Sequence, residues 1–265
     1  MDITFNDYIQ NPMSRENAVF SHRGMYRDLY TNKLDTLLVR ENGKIEYHLY
    51  NTIKKDKYFI HMKIPSEVIP NFYYDTVIEF YTKDKSKEIG RSIADYNVKF
   101  YSNDPSFVFT FAHSFIKNKL FIEDLVTKMS KEAVKKVAVQ KNPSNQVGYV
   151  KSIYFAYLII KRDGLFNKVK FESEGQTYDK TRFLETIEHA DKKVQDRINK
   201  QEDINKAKKI DRKKEKIQQN TLGQNINNNI RTTSPNRKRN ISTVSVIGAS
   251  KKSNNIVQSK RVKRK

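Results

Sequence analysis

The sequence predicts an α+β protein: a mostly antiparallel sheet of about five or six strands, two or three helices after it, and then a disordered basic tail. Three observations carry that reading. Short runs rich in aromatic and β-branched residues recur up to residue 115; the hydrophobic period becomes helical after residue 120; and charge is divided unevenly along the chain. Residues 191–265 hold 22 basic and 6 acidic side chains, against 29 and 24 in residues 1–190. Every Phe and Tyr lies before residue 191, so the last quarter has no aromatic residue with which to start a core.

Residues 1–30 mix polar groups with Tyr, Phe and Met without a clean period, which predicts an irregular arm, with a short helix between Arg23 and Leu34. The folded domain is expected over 31–190. Its first feature is a β-hairpin, because residues 37–40 and 44–50 are strand-like and Asn42-Gly43 between them tolerates the positive φ angles of a type I′ turn. Further strands are expected at 57–64, 73–82, 96–102 and 107–115, each bounded by Pro, Asn, Asp or Gly. In "DTVIEFYT" Val77, Glu79 and Tyr81 alternate with Thr76, Ile78, Phe80 and Thr82, which predicts one packed face and one wet face.

From Leu120 the apolar stripe turns helical. Phe121, Leu125, Met129 and Val134 share one face, and Val147, Val150, Tyr154, Tyr157 and Leu158 share another before Gly164 stops the run. A third helix begins at Asp179 or Thr181, with Phe183, Leu184, Ile187 and Ala190 as its apolar start; Val194, Ile198, Ile204 and Ile210 then thin out among charges. Its first turns are expected to dock on the domain and residues 191–219 to project as a charged helix. Residues 220–265 are expected to be disordered, since nothing there offsets a backbone entropy of about 1 to 2 kcal/mol per residue.

The search for chemistry excludes more than it finds. There is no Cys, hence no disulfide framework and no thiolate ligand or nucleophile. His22, His48, His61, His113 and His189 have no metal-ligand spacing, so no metal site is predicted. Neither G-x-G-x-x-G, G-x-x-x-x-G-K nor G-x-S-x-G occurs; no cofactor and no catalytic residue is expected. Asp75 and Glu79 in "YYDTVIEFY" invite a metal-dependent nuclease reading, but four residues on one strand separate them by roughly 13 Å. Solvent-facing acids are the plainer expectation. The aromatic strands with interspersed Lys could stack bases, yet the RNA-recognition consensus is absent and core packing accounts for them. "SNDPS" (102–106) reads as a tight connection.

The C-terminal segment carries the clearest signal. Residues 231–265 contain eleven Lys or Arg and no Asp or Glu: Arg231, Arg237, Lys238, Arg239, Lys251, Lys252, Lys260, Arg261, Lys263, Arg264 and Lys265. Such a segment binds polyanions by counterion release whatever the base sequence, so these residues are the candidate nucleic-acid contacts, acting on phosphate rather than on bases. An acidic protein surface is the alternative partner. A membrane is disfavoured because no aromatic amphipathic face or lipidation motif accompanies the charge. The β-prone "ISTVSVIGAS" could add a strand to a partner's sheet, and "SPNRKR" and "KRVKRK" match nuclear-import patches as any basic end would. Neither a signal peptide nor a long apolar run is present, so secretion and membrane spanning are not expected.

The block "YNVKFYSNDPSFVFTFAHSFIKNKLFIEDLVTKMSKEA", with "NPSNQVGYVKSIYFAYLIIKRDGLF", resembles late-gene proteins of bacteriophages of low-GC Gram-positive hosts. That resemblance implies a virion or phage-encoded partner of DNA, placed in the host cytoplasm or virion interior. The function expected is therefore non-enzymatic: a folded domain that docks on a protein partner, virion components among the candidates, and a basic segment that holds nucleic acid without sequence preference. A structural assembly protein binding an acidic partner, and a nuclease using Asp75, Glu79 and a histidine, are the alternatives.

Overall fold

The computed structural model describes residues 2–11, 27–127, 131, 142 and 144–232. Residues Met1–Lys206 make one compact unit and Ala207–Lys265 a second. The first unit is α+β: a five-stranded, mostly antiparallel sheet with helices packed on it. In chain order the described elements of the chain are α1 (Phe5–Gln10), α2 (Arg27–Arg40), β1 (Tyr47–Asn51), β2 (Lys57–Pro65), β3 (Tyr73–Tyr81), α3 (Lys85–Glu88), β4 (Asn97–Ser102), a π-helical segment (Phe107–Phe111) continuing into α4 (Ala112–Lys117), α5 (Lys151–Arg162), α6 (Lys168–Glu174), β5 (Gln176–Thr177) and α7 (Lys180–Thr232). Strand order is β4-β3-β2-β1-β5, with only β1 and β5 parallel.

The register settles which side chains share a face. Ile60 lies opposite Ile78, which lies opposite Phe100; one residue along, His61 lies opposite Val77, which lies opposite Tyr101. The first set meets α1 and α5: Phe5 packs edge-on to Phe80 and against Phe100 and Tyr157, and Tyr8 sits 4.6 Å from the Phe100 ring. The second set meets the start of α7, where Phe183 packs against Tyr50, Phe59 and His61, and Ile187 and Val194 are buried. Thus β3 is covered on both faces from Asp75 to Phe80. The expected wet face does not exist, because an amphipathic helix lies over it.

Three other expectations change. The first residues are not an irregular arm: Thr4 and Asp7 form a reciprocal capping box that starts α1, and Phe5, Tyr8 and Ile9 enter the core. The hairpin over 37–50 is not formed. Leu34 and Leu37 make a buried stripe on α2, and Asn42 (φ 54°) with Gly43 (φ 74°) closes that helix: the Gly43 N–H reaches Leu38 O at 2.6 Å and the Asn42 N–H reaches Val39 O at 3.2 Å. Two successive positive φ angles serve a helix C-cap as well as a hairpin turn, and the helical stripe decides.

The run at 107–115 is helical rather than a strand: Phe107, Phe109 and Phe111 alternate as in a strand, but the buried rings are Phe107, Phe111 and Phe115, at the four-residue spacing of a helix face. Asp104 begins it by accepting the Ser106 N–H at 2.8 Å, so the 102–106 connection leads from strand to helix. Of the helix expected after Leu120, Glu123–Leu125 forms a single 3₁₀ turn; Met129 and Val134 lie outside the described residues. The helix carrying Tyr154 and Tyr157 is present, and Gly164 (φ 63°) ends it. Asp179 caps α7, accepting N–H donors from Thr181 and Arg182. That helix continues past residue 219 as far as Thr232; residues 233–265 lie outside the described residues.

Candidate functional site

The buried face beneath α7 is unusually polar. His61 on β2 donates from Nε2 to Asp75 Oδ1 on β3 at 2.5 Å, and both side chains are buried. Asn103, just past β4, closes the other side of Asp75: its Oδ1 accepts the Asp75 N–H at 2.8 Å and its Nδ2 donates to Asp75 Oδ2 at 3.4 Å. Two residues back, Tyr101 donates its hydroxyl to Asp191 Oδ1 of α7 at 2.5 Å. On the opposite face Thr76, Ser102 and Ser152 form a hydroxyl chain with 3.1 Å steps, and the Asp104 N–H donates to Ser102 Oγ.

Burial dictates the electrostatics. Removal from water pushes the Asp191 carboxyl above its ordinary range; hydrogen bonds from Thr127, Tyr101 and Asn103 pull it partly back, and the charge of Asp75 pushes the same way as burial. Asp104 is likewise raised by burial, partly offset by the Ser106 N–H and the Lys151 charge. Tyr101 is raised strongly by burial and by the neighbouring Asp191.

The sequence-derived candidates are placed as follows. Asp75 and Glu79 are not solvent-facing acids. Asp75 is held by His61 and Asn103, and Glu79 is buried against Lys57 at 3.0 Å. Each carboxylate therefore has its own partners. Among the described residues no group of three His, Cys, Asp or Glu is placed to hold a metal ion. His48 lies opposite His61 across β1 and β2, with ring centroids 6.1 Å apart, and bonds Glu46 at 3.1 Å. His113 lies on α4, His189 is exposed on α7, and His22 lies outside the described residues. An open cleft of about 500 Å³ lies beside the start of α7, lined by His48, Tyr50, Arg182 and Thr186 among others.

Of the eleven candidate phosphate contacts, Arg231 falls within the last turn of α7, and Arg237, Lys238, Arg239, Lys251, Lys252, Lys260, Arg261, Lys263, Arg264 and Lys265 lie outside the described residues. The structure brings together the His61–Asp75–Asn103 set, which sequence reading missed. The four-residue spacing of Asp75 and Glu79 drew attention to the strand, but the cross-strand register that pairs Asp75 with a histidine is a tertiary property. No described helix is long and apolar enough to cross a membrane. No protein family, curated protein or solved structure matches the chain.

Proposed function

We propose that this is a non-enzymatic, two-part nucleic-acid-tethering protein, its folded unit docking on a protein partner, with virion components the first candidates, while its basic C-terminal segment grips phosphate. The observation that supports it is the division of charge: 22 basic and 6 acidic residues from 191 onward, and none acidic among the last thirty-five. Binding of this kind is electrostatic and insensitive to base sequence.

If about ten cations of the segment engage phosphates, log K falls with log salt at a slope near −9. The test compares the full chain with one ending at Thr232, which retains every described element of the fold. Duplex DNA of random sequence is titrated across a salt series. Steep salt dependence that the shortened chain loses supports tethering; equal binding by both chains rejects the tail as the grip. Equal competition by polyglutamate and DNA would favour an acidic protein partner instead.

A further inference from the structure

The exposed flank of α7 within the first unit carries its own row of cations. At 100° per residue, Lys193, Arg197 and Lys200 fall within a sector of about 60°, spaced i, i+4 and i+7, and all three are exposed. The acids Glu185, Glu188 and Asp196 fall in the adjoining sector. Lys193 and Arg197 are like charges one turn apart and repel, while Asp196 lies one turn from both Lys193 and Lys200. None of the three makes an ion pair among the described residues, whereas Lys206 further along bonds Asp203.

The row is fixed in direction. Phe183, Ile187, Asp191 and Val194 hold the neighbouring side of the helix on the sheet, so the three cations project along the flank of a packed support. It also adjoins further positive charge. The half-buried Tyr74 phenol feels the buried acid Asp104 as well as Lys151 of α5 and Arg197, and Glu67 serves two lysines, Lys33 at 3.4 Å and Lys151 at 2.9 Å.

From these positions we infer that Lys193, Arg197 and Lys200 form a second phosphate-binding surface on the folded unit, aligned with a nucleic-acid backbone. The inference rests on the tethering reading and adds a fixed contact to it. Along the helix axis the row spans about 10 Å, at 1.5 Å per residue. One DNA strand presents a phosphate about every 3.4 Å along its axis, so three cations meet about three phosphates. The fixed row would set the orientation of the folded unit on the duplex, which a flexible basic segment cannot do.

The experiment uses the full chain and the triple variant Lys193→Gln/Arg197→Gln/Lys200→Gln, binding a random-sequence DNA duplex from low to high salt. Loss of three phosphate contacts should make the slope of log K against log salt shallower by about 2.7. The melting temperature should not move, because all three side chains are exposed. Should the triple variant fold poorly, Arg197→Gln alone should change the slope by about 0.9. A chain that binds DNA with an unchanged slope in these variants overturns the surface and leaves the basic segment as the grip. A full chain that fails to bind DNA even at low salt overturns the tethering reading, and the surface falls with it. Equal competition by polyglutamate reassigns the row to an acidic protein.

Discussion

Tyr101 on β4 donates its hydroxyl to Asp191 of α7 at 2.5 Å, joining sheet and helix across 90 residues of sequence. The carboxyl is buried and its pKa raised, so the folded chain holds the Asp191 proton more tightly than the unfolded chain does. Wherever Asp191 is ionised, its buried charge weakens the fold. That cost is relieved as pH falls through the raised folded value towards the ordinary one near 3.9. Asp191→Asn should therefore raise stability at pH 7 by about 1 kcal/mol, the scale of one buried hydrogen-bonding position. Melting curves from pH 8 down to 4 should show the gap closing at the acid end. A gap independent of pH, or a less stable variant throughout, contradicts this account.

Tyr101→Phe removes the donor and keeps the acid. With the Asp191 carboxyl still buried, the variant should lose about 1 to 3 kcal/mol at pH 7. Combined with Asp191→Asn the loss should shrink, because the charge that needed the hydroxyl is gone. Strict additivity of the two changes in urea unfolding would mean the contact carries no coupling.

Asp75 joins a histidine on one strand to an asparagine beside another. Asp75→Ala leaves His61 Nε2 and Asn103 Nδ2 without their acceptor in a closed interior, at a cost of about 3 kcal/mol. Denaturant midpoints read this directly. A change below half that size would show that water or a neighbour takes over the two donors.

Legibility in the sequence followed the locality of the signal. β2, β3 and β4 are readable because their aromatic and β-branched residues and the turn residues that bound them are local signals. The start of α7 was readable because Asp179, Phe183 and Ile187 lie within two turns. Asn42-Gly43 is ambiguous in sequence because its two positive φ angles fit two motifs, and only the burial of Leu34 and Leu37 selects the helix cap. The role of Asp75 was hidden for a different reason. Its partners sit 14 and 28 residues away, and an acidic residue on an alternating strand looks solvent-facing until a helix from residue 180 covers that face.

Phe5 tests whether the first helix belongs to the core. It is fully buried against Phe80, Phe100 and Tyr157, near the start of a sequence that shows no apolar period there. Phe5→Ala should cost about 3 to 5 kcal/mol through lost burial and the cavity left behind. Thr4→Ala, which removes the cap alone, should cost about 1 kcal/mol. Thermal unfolding of the pair should keep that order; equal small losses would mean that α1 frays without consequence for the sheet.

Gly148 is not at a positive φ, so its constraint is space rather than conformation. A Cβ built there falls 1.8 Å from Cε1 of Phe111, closer than any carbon contact allows, while its carbonyl accepts the Tyr8 hydroxyl at 2.8 Å. Phe111 lies where the π-helical segment passes into α4 and packs in the same core, so the ring has little room to yield. Gly148→Ala should cost about 1 to 3 kcal/mol by overpacking. If the clash is with the ring, Phe111→Leu should lower stability by itself yet cost less in the Gly148→Ala background, a favourable coupling that a double-mutant cycle measures. Purely additive losses would place the strain in the backbone at 148 and leave Phe111 uninvolved.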